Sequence, residues 1–237
     1  AQQEGTELLS HAPHLDIVLG TRSIYKLPEL VAAAMNNGER ACAVDMETSP
    51  ETGLFGDERP CPQSPTAFVV AMIGCSNWCA YCVVPRLRGP AISRPPGEIL
   101  DEVRKLAQRG VREVTLLGQN VNIYGYDLNR PGLDFPGLLR MVSEIDGIAR
   151  VRFVTSHPRD FSDRLIKEMA TNPAVCEYLH LPAQAGSDKI LQLMNRGYTR
   201  DDYLNMVRRI RDAMPHIALT ADFIVGFPGE TEEDFRQ

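Results

Sequence analysis

From Ser64 onward the chain repeats one pattern: a short apolar run, a turn, then a longer segment with helical spacing. Residues 67–73 (AFVVAMI) form a continuous apolar run and predict a strand. In residues 98–109, Ile99, Leu100, Val103, Leu106 and Ala107 share one helical face. Residues 111–117 (VREVTLL) predict a second strand closed by Gly118, and residues 137–145 a helix. Residues 151–155 alternate at period two, 163–170 have helical spacing, and 177–181 (EYLHL) predict another strand. Two helices follow at 189–195 and 202–214, and residues 217–225 (IALTADFIV) close the series. Five strand–helix units with connections this long predict an α/β fold whose parallel strands curl into a (β/α) barrel or part of one. Loops leaving the C-terminal ends of such strands carry the chemistry.

The first sixty residues differ. Residues 16–20 (DIVLG) predict a buried strand, and residues 27–37 (LPELVAAAMNN) a helix stopped by Gly38. This is the expected tail of a small α/β domain. Residues 47–63 (ETSPETGLFGDERPCPQ) are rich in Pro and Gly, lack periodicity and predict a linker. The expected division therefore sets residues 1–62 apart from a larger domain over 63–237. Residues 1–10 have the character of a helix interior, and TEEDFRQ at the other end that of a helix beginning, so a chain cut at both ends is expected.

With 43% hydrophobic and 24% charged residues, the chain is neither disordered nor collagen-like. No stretch approaches the roughly 18 apolar residues of a membrane span. The net charge of −6 argues against a protein basic all over, so a nucleic-acid partner has to meet a local basic patch. AQQEGTELLS has no signal-peptide character, and a cytoplasmic location is expected.

Three of the six cysteines, Cys75, Cys79 and Cys82, fall within eight residues at CxxxCxxC spacing, directly after the first predicted barrel strand. A loop this short turns three sulfurs toward one place. A 4Fe–4S cluster usually has four thiolate ligands. With three, one iron stays open to a chelating co-substrate. A structural zinc site wants four ligands, and no second pair is nearby. It would have to recruit Cys61 or His157, neither of which has ligand-pair spacing. A disulfide leaves one thiol over.

CxxxCxxC with an aromatic residue before the last cysteine, on the first βα loop of a parallel barrel, resembles the radical S-adenosylmethionine superfamily. Tyr81-Cys82-Val83-Val84-Pro85, Arg88-Gly89 and Ser93-Arg94-Pro95 resemble the tRNA and ribosomal-protein methylthiotransferases within it. Residues 116–122 (LLGQNVN) resemble the MiaB-type tRNA branch in particular, and residues 181–187 (LPAQAGS), 194–196 (MNR) and 222–230 (DFIVGFPGE) fit the same family. The resemblance implies that Cys75, Cys79 and Cys82 hold a 4Fe–4S cluster whose fourth iron takes the amino and carboxylate groups of S-adenosylmethionine. One electron then cleaves the sulfonium bond to a 5′-deoxyadenosyl radical. The implied reaction installs sulfur and a methyl group at C2 of an N6-isopentenylated adenosine beside the anticodon. It further implies a second, auxiliary 4Fe–4S cluster whose ligands are not in this chain, a tRNA anticodon stem-loop as substrate, and an external one-electron donor of flavodoxin or ferredoxin type. A monomer is expected.

Other strand-end residues are candidates for S-adenosylmethionine contacts. Tyr81 lies against the adenine or is a packed aromatic. Gly118 admits a ligand to the backbone, and Gln119 and Asn120 offer amides or form a polar turn. Ser156 and His157 reach the ribose or cap a helix. Gln184 is a pocket candidate. Residues 222–230 are half structural, with Thr231 capping a helix after them. Arg86, Arg88 and Arg94 are candidates for phosphate contact, whereas Arg208, Arg209 and Arg211 form a solvated helix face. His11, His14, His180 and His216 have no ligand spacing, and Cys42, Cys61 and Cys176 are expected to be free thiols. The alternatives are a ribosomal-protein methylthiotransferase and, from another class, a zinc-stabilised nucleic-acid-binding module without catalysis. A chain of this extent is expected to cleave S-adenosylmethionine without completing methylthiolation.

Overall fold

The structure is a computed structural model that describes residues 1–46, 64–130 and 132–237. The described residues fall into two compact units: residues 1–46 with Val83–Pro90, and residues 64–82 with Ala91–Gln237. The expected linker 47–63, the boundary between 62 and 63, and Cys61 lie outside the described residues.

The first unit contains α1 (Thr6–His11), β1 (Ile17–Leu19), α2 (Leu27–Asn37), β2 (Ala41–Ala43) and α3 (Val84–Arg88). β1 and β2 pair in parallel, Val18 opposite Cys42. α2 stops at Gly38, whose φ of 66° is the left-handed conformation glycine adopts without steric cost. The buried Arg22 side chain donates to the carbonyls of Arg88 and Pro90 at 2.8 and 3.0 Å, tying the α3 segment down. A Cβ on Gly89 would sit 2.6 Å from that guanidinium and displace it, and the φ of 71° there favours glycine.

The second unit begins with β3 (Thr66–Val70) and β4 (Met72–Ile73), then β5 (Ile92–Ser93), α4 (Pro96–Gln108), β6 (Glu113–Leu117), α5 (Phe135–Ser143) and β7 (Arg150–Phe153). It continues through α6 (Asp163–Thr171), β8 (Tyr178–His180), α7 (Asp188–Leu193), α8 (Arg200–Ala213), β9 (Ala218–Thr220) and α9 (Glu232–Arg236). β3, β6 and β7 form a parallel sheet in that order, with Phe68 opposite Thr115 and Thr115 opposite Arg152. A parallel bridge from Val151 to Val175 links β7 to the approach of β8, and β8 pairs in parallel with β9. This is a partial parallel (β/α) barrel. The single strand expected over 67–73 breaks at Ala71. There the chain leaves β6 and, as β4, pairs antiparallel with β5.

Strand alternation sorts the side chains. Ala67, Val69, Val114, Leu116, Val151, Phe153 and Leu179 are buried against the helices. Those helices return Ile99 and Val103 from α4, Leu138, Leu139 and Val142 from α5, and Leu165 and Met169 from α6. Phe68, on the opposite face, remains 68% exposed. Helix starts follow local chemistry: Asp134, Ser162, Ser187, Thr199 and Thr231 each accept a backbone N–H at the start of α5 to α9. Among the described residues no helix is long and apolar enough to cross a membrane.

Candidate functional site

Residues 74–82 leave the end of β4 and are pinned from several directions. Gly74, at φ 74°, donates its N–H to Gln119 Oε1 at 2.5 Å. Ala80 N–H donates to the Met194 carbonyl at 3.0 Å, and Asn195 Nδ2 to the Trp78 carbonyl at 2.7 Å. Cys75 and Cys79 are buried and Cys82 is half-buried. Burial pushes the Cys75 thiol up, and the neighbouring Cys79 and Cys82 thiols raise it further. Two donors aim at sulfur: Asn77 N–H at Cys75 Sγ (3.4 Å) and Arg196 Nη1 at Cys79 Sγ (3.5 Å).

A second group gathers beside this loop. Asn120 Nδ2 and Asn77 Nδ2 both donate to Asp160 Oδ2, at 2.7 and 3.2 Å. Arg159 donates to Asp160 Oδ1 and to Asn77 Oδ1. Burial opposes ionisation of Asp160, but these hydrogen bonds and the Arg159 charge prevail and its pKa is lowered. His157 Nδ1 accepts the Arg159 N–H at 3.2 Å, which leaves the ring proton on Nε2. Burial, with Arg196 adding to it, lowers the His157 pKa to about 3, so the ring is neutral. Asn120 Oδ1, Ser156 Oγ and His157 Nε2 are buried and have no hydrogen-bond partner among the described residues. Orphaned buried polar atoms are costly, and this cluster of them lies beside the cysteine loop.

Backbone strain occurs at the same strand ends. Thr155 after β7 has φ 69° and Gln184 after β8 has φ 70°, conformations that non-glycine residues seldom adopt. The Gln184 backbone also extends the β8–β9 ladder, donating to Asp222 O and accepting from Ile224 N–H, each at 2.9 Å.

Among the described residues no three His, Cys, Asp or Glu side chains stand close enough to hold a single metal ion. A closed mononuclear zinc site needs such a grouping. The ligands of a cubane cluster bind separate irons at separate corners, and three cysteine thiols on one short loop, with N–H donors aimed at two of the sulfurs, fit that need.

Residues 69–237 match the radical SAM superfamily. The chain belongs to that superfamily. Membership of the radical SAM superfamily brings with it a 4Fe–4S cluster and S-adenosylmethionine. Among curated relatives, proteins named tRNA-2-methylthio-N(6)-dimethylallyladenosine synthase are similar over the whole chain. The Geobacter metallireducens protein is 54% identical and covers 100% of this chain, which spans 53% of it. The Clostridium novyi protein is 48% identical and covers 99% of this chain, which spans 52% of it. The chain thus spans about half the length of such relatives. The radical SAM methyltransferase TsrM from Kitasatospora setae aligns over 71% of this chain and 32% of its own, at TM-score 0.57 and 21% identity. The cobalamin-dependent radical SAM enzyme OxsB aligns over 85% and 32%, at TM-score 0.61 and 14% identity. Both share the fold.

Within this radical SAM fold, the candidates read from sequence take different places. Gln119 holds the cysteine loop, and Asn120 and Ser156 belong to the orphaned group. Gly118 makes room for Met72, since a Cβ there would meet Met72 Cγ at 2.7 Å. Tyr81 is 37% exposed, and its hydroxyl accepts from Arg196 Nη1 at 3.1 Å. Arg94 does not face phosphate. It is buried and ion-paired with Glu98 and Glu102 of α4, so its charge is spent inside the protein. Arg86 and Arg88 are exposed, as are Arg208, Arg209 and Arg211 on α8, where Arg209 pairs with Asp163. Asn77, Asp160 and Arg196 had no role assigned from sequence. Arg196 stood in the quoted MNR run, and Asp160 four residues beyond Ser156, but their partners are remote in the chain.

Proposed function

We propose that this chain is the catalytic core of a tRNA-2-methylthio-N6-dimethylallyladenosine synthase. It uses S-adenosylmethionine as radical source and methyl donor on an isopentenylated adenosine beside the anticodon. The observation that carries the reading is the CxxxCxxC loop set against the orphaned atoms of Asn120, Ser156 and His157, in a chain similar throughout to proteins of that name.

Cys75, Cys79 and Cys82 are the ligands of the 4Fe–4S cluster. When bound, the cluster supplies the electron that cleaves the sulfonium bond of S-adenosylmethionine, the chemistry needed to activate adenine C2. The residues of this chain bind and orient. Gln119 fixes the start of the loop through the Gly74 N–H. Asp160, ionised, holds Asn77 and Asn120 in one orientation and so aims Asn120 Oδ1 as an acceptor. Ser156 Oγ and His157 Nε2 add a hydroxyl and a neutral N–H donor for the polar groups of S-adenosylmethionine. Tyr81 offers a ring for the adenine and Gln184 a further amide. Gly118 keeps the neighbouring turn tight enough for backbone contact.

Residues 1–62 are read as part of an N-terminal methylthiotransferase domain and 63–237 as the radical core. The exposed Arg86 and Arg88 are candidates for phosphates of a tRNA anticodon stem-loop. An external flavodoxin- or ferredoxin-type donor, an auxiliary 4Fe–4S cluster as sulfur source and a cytoplasmic location complete the reading; Cys42 and Cys176 are given no part in the auxiliary cluster. Anaerobic reconstitution with iron and sulfide, then reduction with S-adenosylmethionine present, tests it. The expected products are methionine and 5′-deoxyadenosine, formed faster with an isopentenylated anticodon stem-loop than with a ribosomal-protein peptide. Stimulation by the peptide alone overturns the substrate assignment.

A further inference from the structure

Two arginines of the second unit are almost fully buried. Arg94, 5% exposed, is neutralised by Glu98 and Glu102. Arg196, 4% exposed, has no carboxylate within ion-pair distance among the described residues. Its Nε donates to the Tyr198 hydroxyl at 3.0 Å, its Nη2 to the Pro182 carbonyl at 3.3 Å, and its guanidinium lies 5.3 Å from the centre of the Tyr198 ring. Its Nη1 is shared between the Tyr81 hydroxyl at 3.1 Å and Cys79 Sγ at 3.5 Å.

A buried cation among neutral acceptors is expensive unless an anion completes it. The one partner here that becomes anionic in the working protein is Cys79, as a ligating thiolate. The same run of chain also clamps the loop around that cysteine. The Met194 carbonyl takes the Ala80 N–H, and Asn195, at φ 57°, reaches the Trp78 carbonyl. We infer that Arg196 is a positioning residue for the iron–sulfur cluster, donating to the ligating sulfur of Cys79 and easing the cluster's one-electron reduction, while holding Tyr81 alongside. This rests on Cys75, Cys79 and Cys82 being the ligands. The electron comes from the external donor, and no bond to Arg196 forms or breaks. Reduction adds negative charge beside a fixed positive one, and hydrogen bonds to cluster sulfurs are among the determinants of cluster potential.

The test compares wild type, Arg196→Gln and Arg196→Lys after anaerobic reconstitution, by iron and sulfide content and an EPR-monitored redox titration. Arg196→Gln is expected to keep its iron and show a more negative midpoint potential. Arg196→Lys, which restores the charge, is expected to fall between it and wild type. A loaded Arg196→Gln protein with the wild-type potential overturns the inference. A wild type that holds no cluster overturns the ligand assignment itself, a separate and earlier failure. If Arg196→Gln does not fold, the decision passes to wild type labelled with 15N-arginine. Pulsed EPR of the reduced cluster is expected to show a nitrogen coupling from the guanidinium, and its absence overturns the inference.

Discussion

Two polar clusters in the second unit look alike in composition and differ in completeness. Around α7 and α9, Asp234 accepts from Ser187 Oγ, Lys189 Nζ and Thr231 Oγ1, all at 2.7 Å. The hydrogen bonds from Lys189, Thr231 and Ser187 hold its carboxyl well below the usual range. No buried side-chain atom of this group lacks a partner. At the ends of β6 and β7, Asp160 organises Asn77 and Asn120 in a comparable way, yet Asn120 Oδ1, Ser156 Oγ and His157 Nε2 are left over. The first group is closed on itself and joins two helices. The second is left incomplete among the described residues. Satisfaction, rather than polarity, separates framework from site.

The largest effect expected from this contrast is at the sulfurs. Cys79→Ala should lose the bound iron and sulfide and all reductive cleavage of S-adenosylmethionine, read by elemental analysis and by 5′-deoxyadenosine formation. Full iron loading by that variant would remove Cys79 from the ligand set. Next comes Ser156→Ala. Its hydroxyl has no partner among the described residues, so the melting temperature should not fall, whereas affinity for S-adenosylmethionine should drop about tenfold, roughly one hydrogen bond to a charged ligand. Calorimetric titration of the reconstituted protein measures it. Unchanged affinity with a lowered melting point would make Ser156 part of the framework.

What the sequence revealed depends on distance along the chain. The Thr231 cap was legible because TEED carries both halves of a capping box within four residues, and Thr231 and Asp234 do form one. Gly38 and the cysteine triplet were legible for the same local reason. The break of the first barrel strand at Ala71 was not, because an apolar run does not say which neighbour each residue bonds to. The ion pairs of Arg94 with Glu98 and Glu102 were not legible, because Arg94 lies ahead of α4, before the extended Pro95, where helical spacing does not apply. The Asn77–Asp160 hydrogen bond spans 83 residues and the Arg196–Cys79 contact 117, and no local pattern encodes such partners.

A subtler contrast is in pH dependence. His157 has its pKa lowered to about 3, first by burial, whereas an unfolded histidine titrates near 6.5. Between those values the unfolded chain binds the proton and the folded one does not, so stability falls as pH drops from about 6.5 toward 3. The slope is at most about 1.4 kcal/mol per pH unit for a single group. His157→Gln should flatten this part of the curve in urea melts at pH 7, 6 and 5. An unchanged slope would assign the acid sensitivity to other groups. Asp160, with a lowered pKa, contributes stability present above the unfolded carboxylate range and lost at lower pH.

The smallest expected effect tests the closed cluster. Ser187 Oγ is buried, caps α7 by accepting the Ile190 N–H at 3.4 Å, and donates to Asp234 at 2.7 Å. Replacing it with alanine removes a cap, a loss of about 1 kcal/mol. Asp234 keeps Lys189 and Thr231, so its charge stays compensated. Ser187→Ala should therefore lower stability modestly in chemical denaturation, with the affinity for S-adenosylmethionine and the iron content at wild-type values. A variant of wild-type stability that binds S-adenosylmethionine more weakly would reverse the assignment and make the closed cluster part of the site.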